Sequence, residues 1–535
     1  MAVISHSSRL SVVVGWLPDL VAIKWISEVE RFQKLSRKIL IRLDLDEFML
    51  RSRRRCLSVL GLIGLSGILG CPSNSSEKVG TTSQPFRGQE LDIVVPKSLN
   101  LPAQWEVLIQ EWSSQSGATA RFVEYDSTSP VSAETTSQVK PGGSLVFFPL
   151  EQLCELDARF GNLSLPGNAN ESRDLFKGLR ERVLSREREV VVSPISVPVL
   201  VCYYRNDLLK AARLKPPETW EDYHELVASL NSWAPGLTAV EPLCPEFRAT
   251  TFFARSLAYC KHPENYSVWF DIDSAKPTLN TPGFEKALAI TQKTWSLLPP
   301  EVLTYSAADC RRLMLSGKAA ISLTYELGGT DASANSKSDV AFQRVDGIEL
   351  GIHPLPGSRT VYNRNSKKWD TMPPKTVHAP GLCGFAGLAA GVVLPSGGTA
   401  DVAATNLLSS LVSPEQFDQA FAKLTKGPCR DSQMATAPTW YGPELSSEEA
   451  SLYCDAVAQS LRDTQLVFEL PVTGADEFRR AASIALEPLI RGQANAEQTL
   501  KAMQESFEAI VERRGSKVVR DTHRRGLGMS PSLNK

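Results

Sequence analysis

Six histidines, ten cysteines and 59 acidic side chains are the groups from which this chain could assemble a reactive site. None is spaced for the familiar chemistries. There is no Gly-x-Ser-x-Gly elbow for a nucleophile, no Walker loop to cradle phosphate, no His-Glu-x-x-His and no dinucleotide fingerprint after the first apolar strand. No Cys-x-x-Cys occurs, and no His/Cys cluster has zinc spacing. Acidic pairs such as Glu221/Asp222 fall on helix surfaces, although two carboxylates that meet only in space leave no mark in sequence. A formal net charge of −1 supplies no field to attract nucleic acid or anionic lipid. No metal or cofactor is expected.

One stretch has a different purpose. Residues 49–71 read MLRSRRRCLSVLGLIGLSGILGC, with four arginines in a run of five positions and then about fourteen apolar or small residues. That is the layout of a secretory signal. The apolar part is shorter than the roughly 18–20 residues a spanning helix needs. Its end, Ile68-Leu69-Gly70-Cys71, resembles a bacterial lipoprotein box, with Ile in place of the commoner Leu. That resemblance implies lipidation at Cys71. A signal behind 48 residues is awkward to export, so Met49 is read as the true start and 1–48 as a mistaken extension without function. Export implies an oxidising compartment. For the eight cysteines from Cys154 to Cys454, disulfides and buried free thiols both remain open; Cys244 and Cys260 are the nearest pair.

The elements that must position a site follow from periodicity. LDIVV (91–95), ATARFVEYD (118–126) and GSLVFF (143–148) read as strands, separated by an amphipathic helix over 102–117 and followed by another that ends at Gly161. Strand–helix alternation predicts an α/β fold with mainly parallel sheets flanked by helices. In VCYYRNDLLKAARLKPPETWEDYHEL (201–226), Pro216-Pro217 end one helix. Thr219 and Asp222 form a capping box for the next, whose apolar face is Tyr223, Leu226, Val227 and Leu230. Further helices are read over 282–298, 306–316, 399–413 and 474–514, and strands over 319–325, 348–354 and 387–395.

Taken in order, these segments resemble the extracellular solute-binding proteins of ABC importers, the sugar-binding, maltose-binding-protein-like family. The likeness rests on YYRNDLL with PPETWED, LMLSGKAAISLTYE, GIHPLPG, SPEQFDQAFAKLTKGPCRDS and GQANAEQTLKAMQESFEAI, and spans about 90–512. It implies two α/β lobes joined by a multi-segment hinge, closing over ligand. The expected organisation is an N-terminal lobe over 90–200, rejoined by about 340–400, and a C-terminal lobe over 201–335, completed by helices in 401–514. A tether over 72–89 precedes them and a disordered tail over 515–535 follows.

The resemblance assigns ligand contacts to Tyr325 as stacking aromatic, Glu326 as hydroxyl acceptor, Arg430 and nearby Trp440, and Gly384-Phe385 at the approach to a central strand. Tyr203 and Tyr204 would lie where the chain first crosses between lobes, one packed in the hinge and Tyr204 facing the cleft. Ser98, Asn100, Tyr125 and Asp126 follow strands one and two, at the carboxyl ends where α/β sheets bind ligands. The reading is a lipid-anchored, exported, monomeric protein on the periplasmic face of the envelope. It would deliver a carbohydrate or similar polar solute to ABC permease subunits, and is neither an enzyme nor a nucleic-acid binder. A permease-independent sensor or scaffold on the same fold, or an envelope glycoside hydrolase, is the alternative.

Overall fold

The structure is a computed structural model that describes residues 84–99, 103–126, 144–160, 163–164, 169–186, 189–327, 344–393 and 402–531. The expected extension, signal and lipid-site Cys71 lie outside these residues.

Two separate sheets organise the chain. Leading into the first, β1 (Glu90–Pro96) is followed by helix α1 (Ala103–Ser116), β2 (Thr119–Tyr125), β3 (Ser144–Pro149), helix α2 (Leu153–Phe160), the short β4 (Leu163–Ser164) and β5 (Ser193–Ser196). The chain then crosses to the second sheet with β6 (Val201–Arg205), helix α3 (Trp220–Ala228), β7 (Thr238–Val240), helices α4 (Arg248–Cys260), α5 (Pro282–Trp295) and α6 (Ala307–Leu315), then β8 (Ala319–Thr324) and β9 (Leu350–Pro354). It returns through β10 (Leu388–Val393), helix α7 (Val402–Leu411) and helix α8 (Pro414–Phe421), and ends in helices α9 (Ser447–Arg462), α10 (Ala475–Ile490), α11 (Ala496–Arg514) and α12 (Ser516–Gly526).

The first sheet has the order β2-β1-β3-β10-β4, with β5 also paired to β10. β1 is parallel to β2 and β3, whereas β10 runs antiparallel to β3. The second has the order β9-β6-β8-β7; β6 is antiparallel to both neighbours and β8 is parallel to β7. The antiparallel pairings in each sheet are made by strands the chain reaches on arriving from the other side, β10 and β6. Both α/β sheets are therefore mixed, with a parallel portion in each.

Three details depart from the expected organisation. Among the described residues of 340–400, only β10 rejoins the first sheet, because β9 pairs with β6 at the edge of the second. The helices over 402–421 cover the first sheet and not the second. Trp105 on α1 donates from Nε1 to the carbonyl of Ala420 (2.6 Å), its ring meets Phe147 and Phe421 at 4.8 and 5.2 Å, and Trp112 Nε1 donates to Asn406 Oδ1 (2.8 Å). An open sheet face must be covered by some apolar stripe, and the nearest supplier is the segment that follows β10. Finally, 516–526 is a helix and not a disordered tail. Its inner face is Val519, His523 and Gly526, all buried. A histidine and a glycine in the stripe conceal the 3.6-residue period.

Local rules do hold where they were applied. Thr219 Oγ1 accepts from the Asp222 amide (3.1 Å) and Asp222 Oδ2 from the Thr219 amide (2.9 Å), completing the capping box of α3. Ser306 and Asp309 repeat it at α6. The eight described cysteines are all buried free thiols. Burial raises them, Cys154 and Cys429 to about 11, so they stay protonated and inert.

Candidate ligand cleft

Side chains from both sheets converge at one place. From the first sheet, β3 ends at Pro149 and Glu151 follows at its carboxyl end. Glu151 Oε2 accepts from the backbone amide of Ala386 (3.0 Å), just ahead of β10, and the amide of Leu150 donates to the carbonyl of Gly387 (3.0 Å). Ala386 holds φ 47°, in the left-handed region that a side-chain-bearing residue rarely adopts. Its carbonyl accepts from Lys426 Nζ (3.3 Å), and that ammonium lies 5.7 Å from the centre of the Tyr325 ring. Tyr325 follows β8, at the carboxyl end of the second sheet's central strand. Its ring packs at 6.1 Å from Phe385 and 6.2 Å from Phe247.

The second lobe adds charge. Arg479 on α10 donates to Glu469 Oε1 (2.9 Å) and Asp476 Oδ1 (2.6 Å). Glu469 is fully buried and both its oxygens accept from Thr250 Oγ1 (3.0 Å) on α4. Burial pushes the Glu151 carboxyl above the usual carboxylate range, against the opposing pull of Arg479. Three aromatics, an ammonium, a guanidinium, a carboxyl group and a strained backbone turn thus lie together between the lobes, with the Tyr325 and Phe385 rings buried. Glu151, Phe247, Ala386, Lys426 and Arg479 are each only partly buried. That set can stack on an apolar face and both donate to and accept from hydroxyls.

Of the sequence-chosen residues, Tyr325, Gly384 and Phe385 lie in this region, and all three are buried. Gly384 takes φ 109°, and a Cβ there would lie 2.3 Å from the Phe468 ring, so the close backbone pass requires glycine. Ser98 and Asp126 are exposed at the carboxyl ends of β1 and β2, the strands on the far side of β3 from β10. Asn100 lies outside the described residues.

The remaining choices are engaged elsewhere. Glu326 is fully buried, accepting from Tyr203 Oη (2.6 Å) and Arg311 Nε (2.7 Å), with Arg311 also paired to Glu444 (2.5 Å). Strand alternation turns Tyr204 the other way from Tyr203: its ring covers Gly351 of β9, not the cleft. Tyr125 is buried and donates to the carbonyl of Phe147 (3.1 Å), and burial raises its phenol. Arg430 points inward to Ser193 Oγ (2.8 Å). Trp440 packs on Phe417 and donates to Asp418 Oδ1 (3.0 Å), on the outer side of α8.

Sequence reasoning missed Glu151, Lys426 and Arg479. The rule that chose Ser98 also reaches Glu151, two residues beyond a strand. Lys426 and Arg479 are brought in by the fold alone. Among the described residues, no group of three or more His, Cys, Asp or Glu could hold a metal ion, and no helix is long and apolar enough to cross a membrane.

Residues 187–446 match the family model of the bacterial extracellular solute-binding proteins. This stretch is similar to that family, which is one of binding proteins. No curated protein matches the chain by sequence. Solved structures agree on the fold. A cyclic alpha-maltosyl-1,6-maltose binding protein from Arthrobacter globiformis matches with a TM-score of 0.55 at 15% identity, over 79% of this chain and 99% of that one. The sugar-binding protein MalE from Xanthomonas citri matches at 0.54 and 16%, over 80% and 98%. An ABC transporter solute-binding protein from Agrobacterium vitis S4, solved with bound D-mannitol, matches at 0.51 and 15%, over 80% and 99%. The two sheets and their crossings are the two-lobe fold of these structures.

Proposed function

We propose that this solute-binding protein captures a carbohydrate or polyol between its lobes and hands it to the permease subunits of an ABC importer. The observation that carries the reading is the convergence, at the carboxyl ends of β3 and β8, of an aromatic pair with Glu151, Lys426 and Arg479. Tyr325 and Phe385 form the apolar wall. Glu151 accepts from hydroxyls, and Lys426 and Arg479 donate to them. Gly384 and Ala386 bring backbone within reach, with Ser98 and Asp126 flanking. The sugar and mannitol ligands of proteins sharing the fold are of the same chemical class. Cys71 is the lipid-bearing residue, which anchors a monomer at the periplasmic face of the envelope.

The test is a thermal-shift and calorimetric screen against mono- and oligosaccharides and polyols. A ligand at [L] = 100 Kd stabilises by about 2.7 kcal/mol, a rise of a few degrees in Tm. A panel without any shift sinks the ligand class. With a ligand in hand, Tyr325→Ala and Glu151→Gln each weaken binding about tenfold or more, consistent with loss of a hot-spot contact. Metabolic labelling with a fatty acid, lost in Cys71→Ser, tests the anchor.

A further inference from the structure

The C-terminal helix α12 touches both lobes at once. On the second-lobe side its contacts are numerous and buried. His523 pairs Nε2 with Ser267 Oγ (2.8 Å) and Nδ1 with the Pro471 carbonyl (3.3 Å), and its ring stands edge-on to Phe270 at 5.3 Å. Thr522 Oγ1 lies 3.4 Å from Thr473 Oγ1, Arg524 reaches Asp273 (3.3 Å), and Tyr266 Oη donates to the carbonyl of Leu527 (2.9 Å). On the first-lobe side the contacts are with α2 and, just past the helix, with Ser185, whose carbonyl would lie 3.1 Å from a Cβ at Gly528. Gly526 is wedged so tightly that a Cβ would lie 2.5 Å from the Pro471 oxygen and 3.0 Å from Cys154 Sγ. Arg525 Nε stands 3.9 Å from Asp157 Oδ2. Beside this point the amide of Gly474 donates to Glu155 Oε2 (3.1 Å), a second direct bond between the lobes.

We infer that α12 is a clasp: fixed to the second lobe, it closes on α2 of the first and limits how far and how fast the cleft opens. The asymmetry of its contacts decides which side lets go. Separating α12 from the second lobe would strand the buried His523 ring and open several hydrogen bonds, whereas separating it from α2 costs one van der Waals contact and a long ion pair. Lobe closure sets the fraction of binding-competent protein, so a clasp on that motion acts on the rates of solute entry and release.

The geometry provides its own test. The 3.0 Å from a Cβ at 526 to Cys154 Sγ is within the reach of a disulfide, so Gly526→Cys can be locked by oxidation and freed by reduction in one and the same chain. Amide hydrogen exchange on the full chain, without solute, reads the result, so its outcome is independent of whether the ligand is a sugar. The clasp requires peptides over 150–160 and 474–480 to exchange about tenfold more slowly in the oxidised form than in the reduced form, with β6 unchanged. Equal exchange in the two forms, or a difference spread through β6 as well, overturns it. Should Gly526→Cys not fold when reduced, Arg525→Ala decides: exchange over 150–160 rises about twofold with β6 steady, in line with loss of a half-exposed ion pair, and an unchanged rate overturns the clasp.

Discussion

Tyr325 and Glu326 are neighbours with opposite tasks, and sequence alone could not separate them. Both follow β8, and both are types that bind sugars. Tyr325 packs with Phe247, Phe385 and Lys426, where the proposed cleft lies, while Glu326 turns into a sealed network with Tyr203 and Arg311. Removing one member of a buried ion pair leaves the other charge unpaired, at a cost of about 3–5 kcal/mol. Glu326→Ala is therefore expected to lower the urea midpoint strongly, whereas Tyr325→Ala weakens ligand binding with a smaller loss of stability. Equal stability losses in the two variants would contradict the division. Glu151 has a further signature. Its carboxyl is raised by burial, so between the unfolded and the folded value the folded chain holds a proton that the unfolded chain has released. That contribution is complete below the unfolded value near 4.3 and fades as pH climbs through the folded one. Glu151→Gln should remove this fade, seen as a flatter stability profile above the unfolded value of about 4.3.

At the scale of the element, legibility followed the strength of the local signal. The capping boxes of α3 and α6 are written in side chains three residues apart, and both formed. The destination of 402–421 is written nowhere locally. It depends on Trp105, some three hundred positions earlier, needing a cover. Likewise β9 reads as a strand from its sequence, but its partner β6 was set by tertiary register. Tyr203 and Tyr204 show how that register sorts side chains. Gly351 of β9 lies under the Tyr204 ring, where a Cβ would come within 2.1 Å of Cε2. The ring is nearly fully buried and has no free direction in which to retreat. Gly351→Ala is thus an overpacking change, expected to cost about 1–3 kcal/mol. The double variant Gly351→Ala with Tyr204→Ala should cost less than the sum of the two single variants. Additive losses in denaturant melts would show that the two positions are not coupled.

For the whole molecule, the resemblance spread over five weak motifs reached the right architecture because their order, more than any one of them, reflects the two-lobe crossing pattern. It did not reach the junction where α12 meets both lobes, since α12 (Ser516–Gly526) lies beyond the last of those motifs. The junction also makes the fold sensitive to acid. Burial presses the His523 imidazole down to about 4, with Arg364 reinforcing that direction and the Pro471 carbonyl and Asp271 opposing it. The folded protein keeps the ring neutral where the unfolded chain, titrating near 6.5, would take up a proton. Between those two values the unfolded state binds more protons, so stability falls as pH drops from about 6.5 towards 4, by about 3 kcal/mol in all. Because His523 faces Ser267, Phe270 and Pro471 of the second lobe, its protonation loosens the clasp at its fixed end first. Unfolding of the full chain in urea from pH 7 to pH 4, compared with His523→Gln, isolates the effect. The wild type should lose more stability than the variant across that window, and exchange over 516–526 should rise before exchange in β6. Parallel curves for the two chains would mean that His523 is not the group through which acid acts.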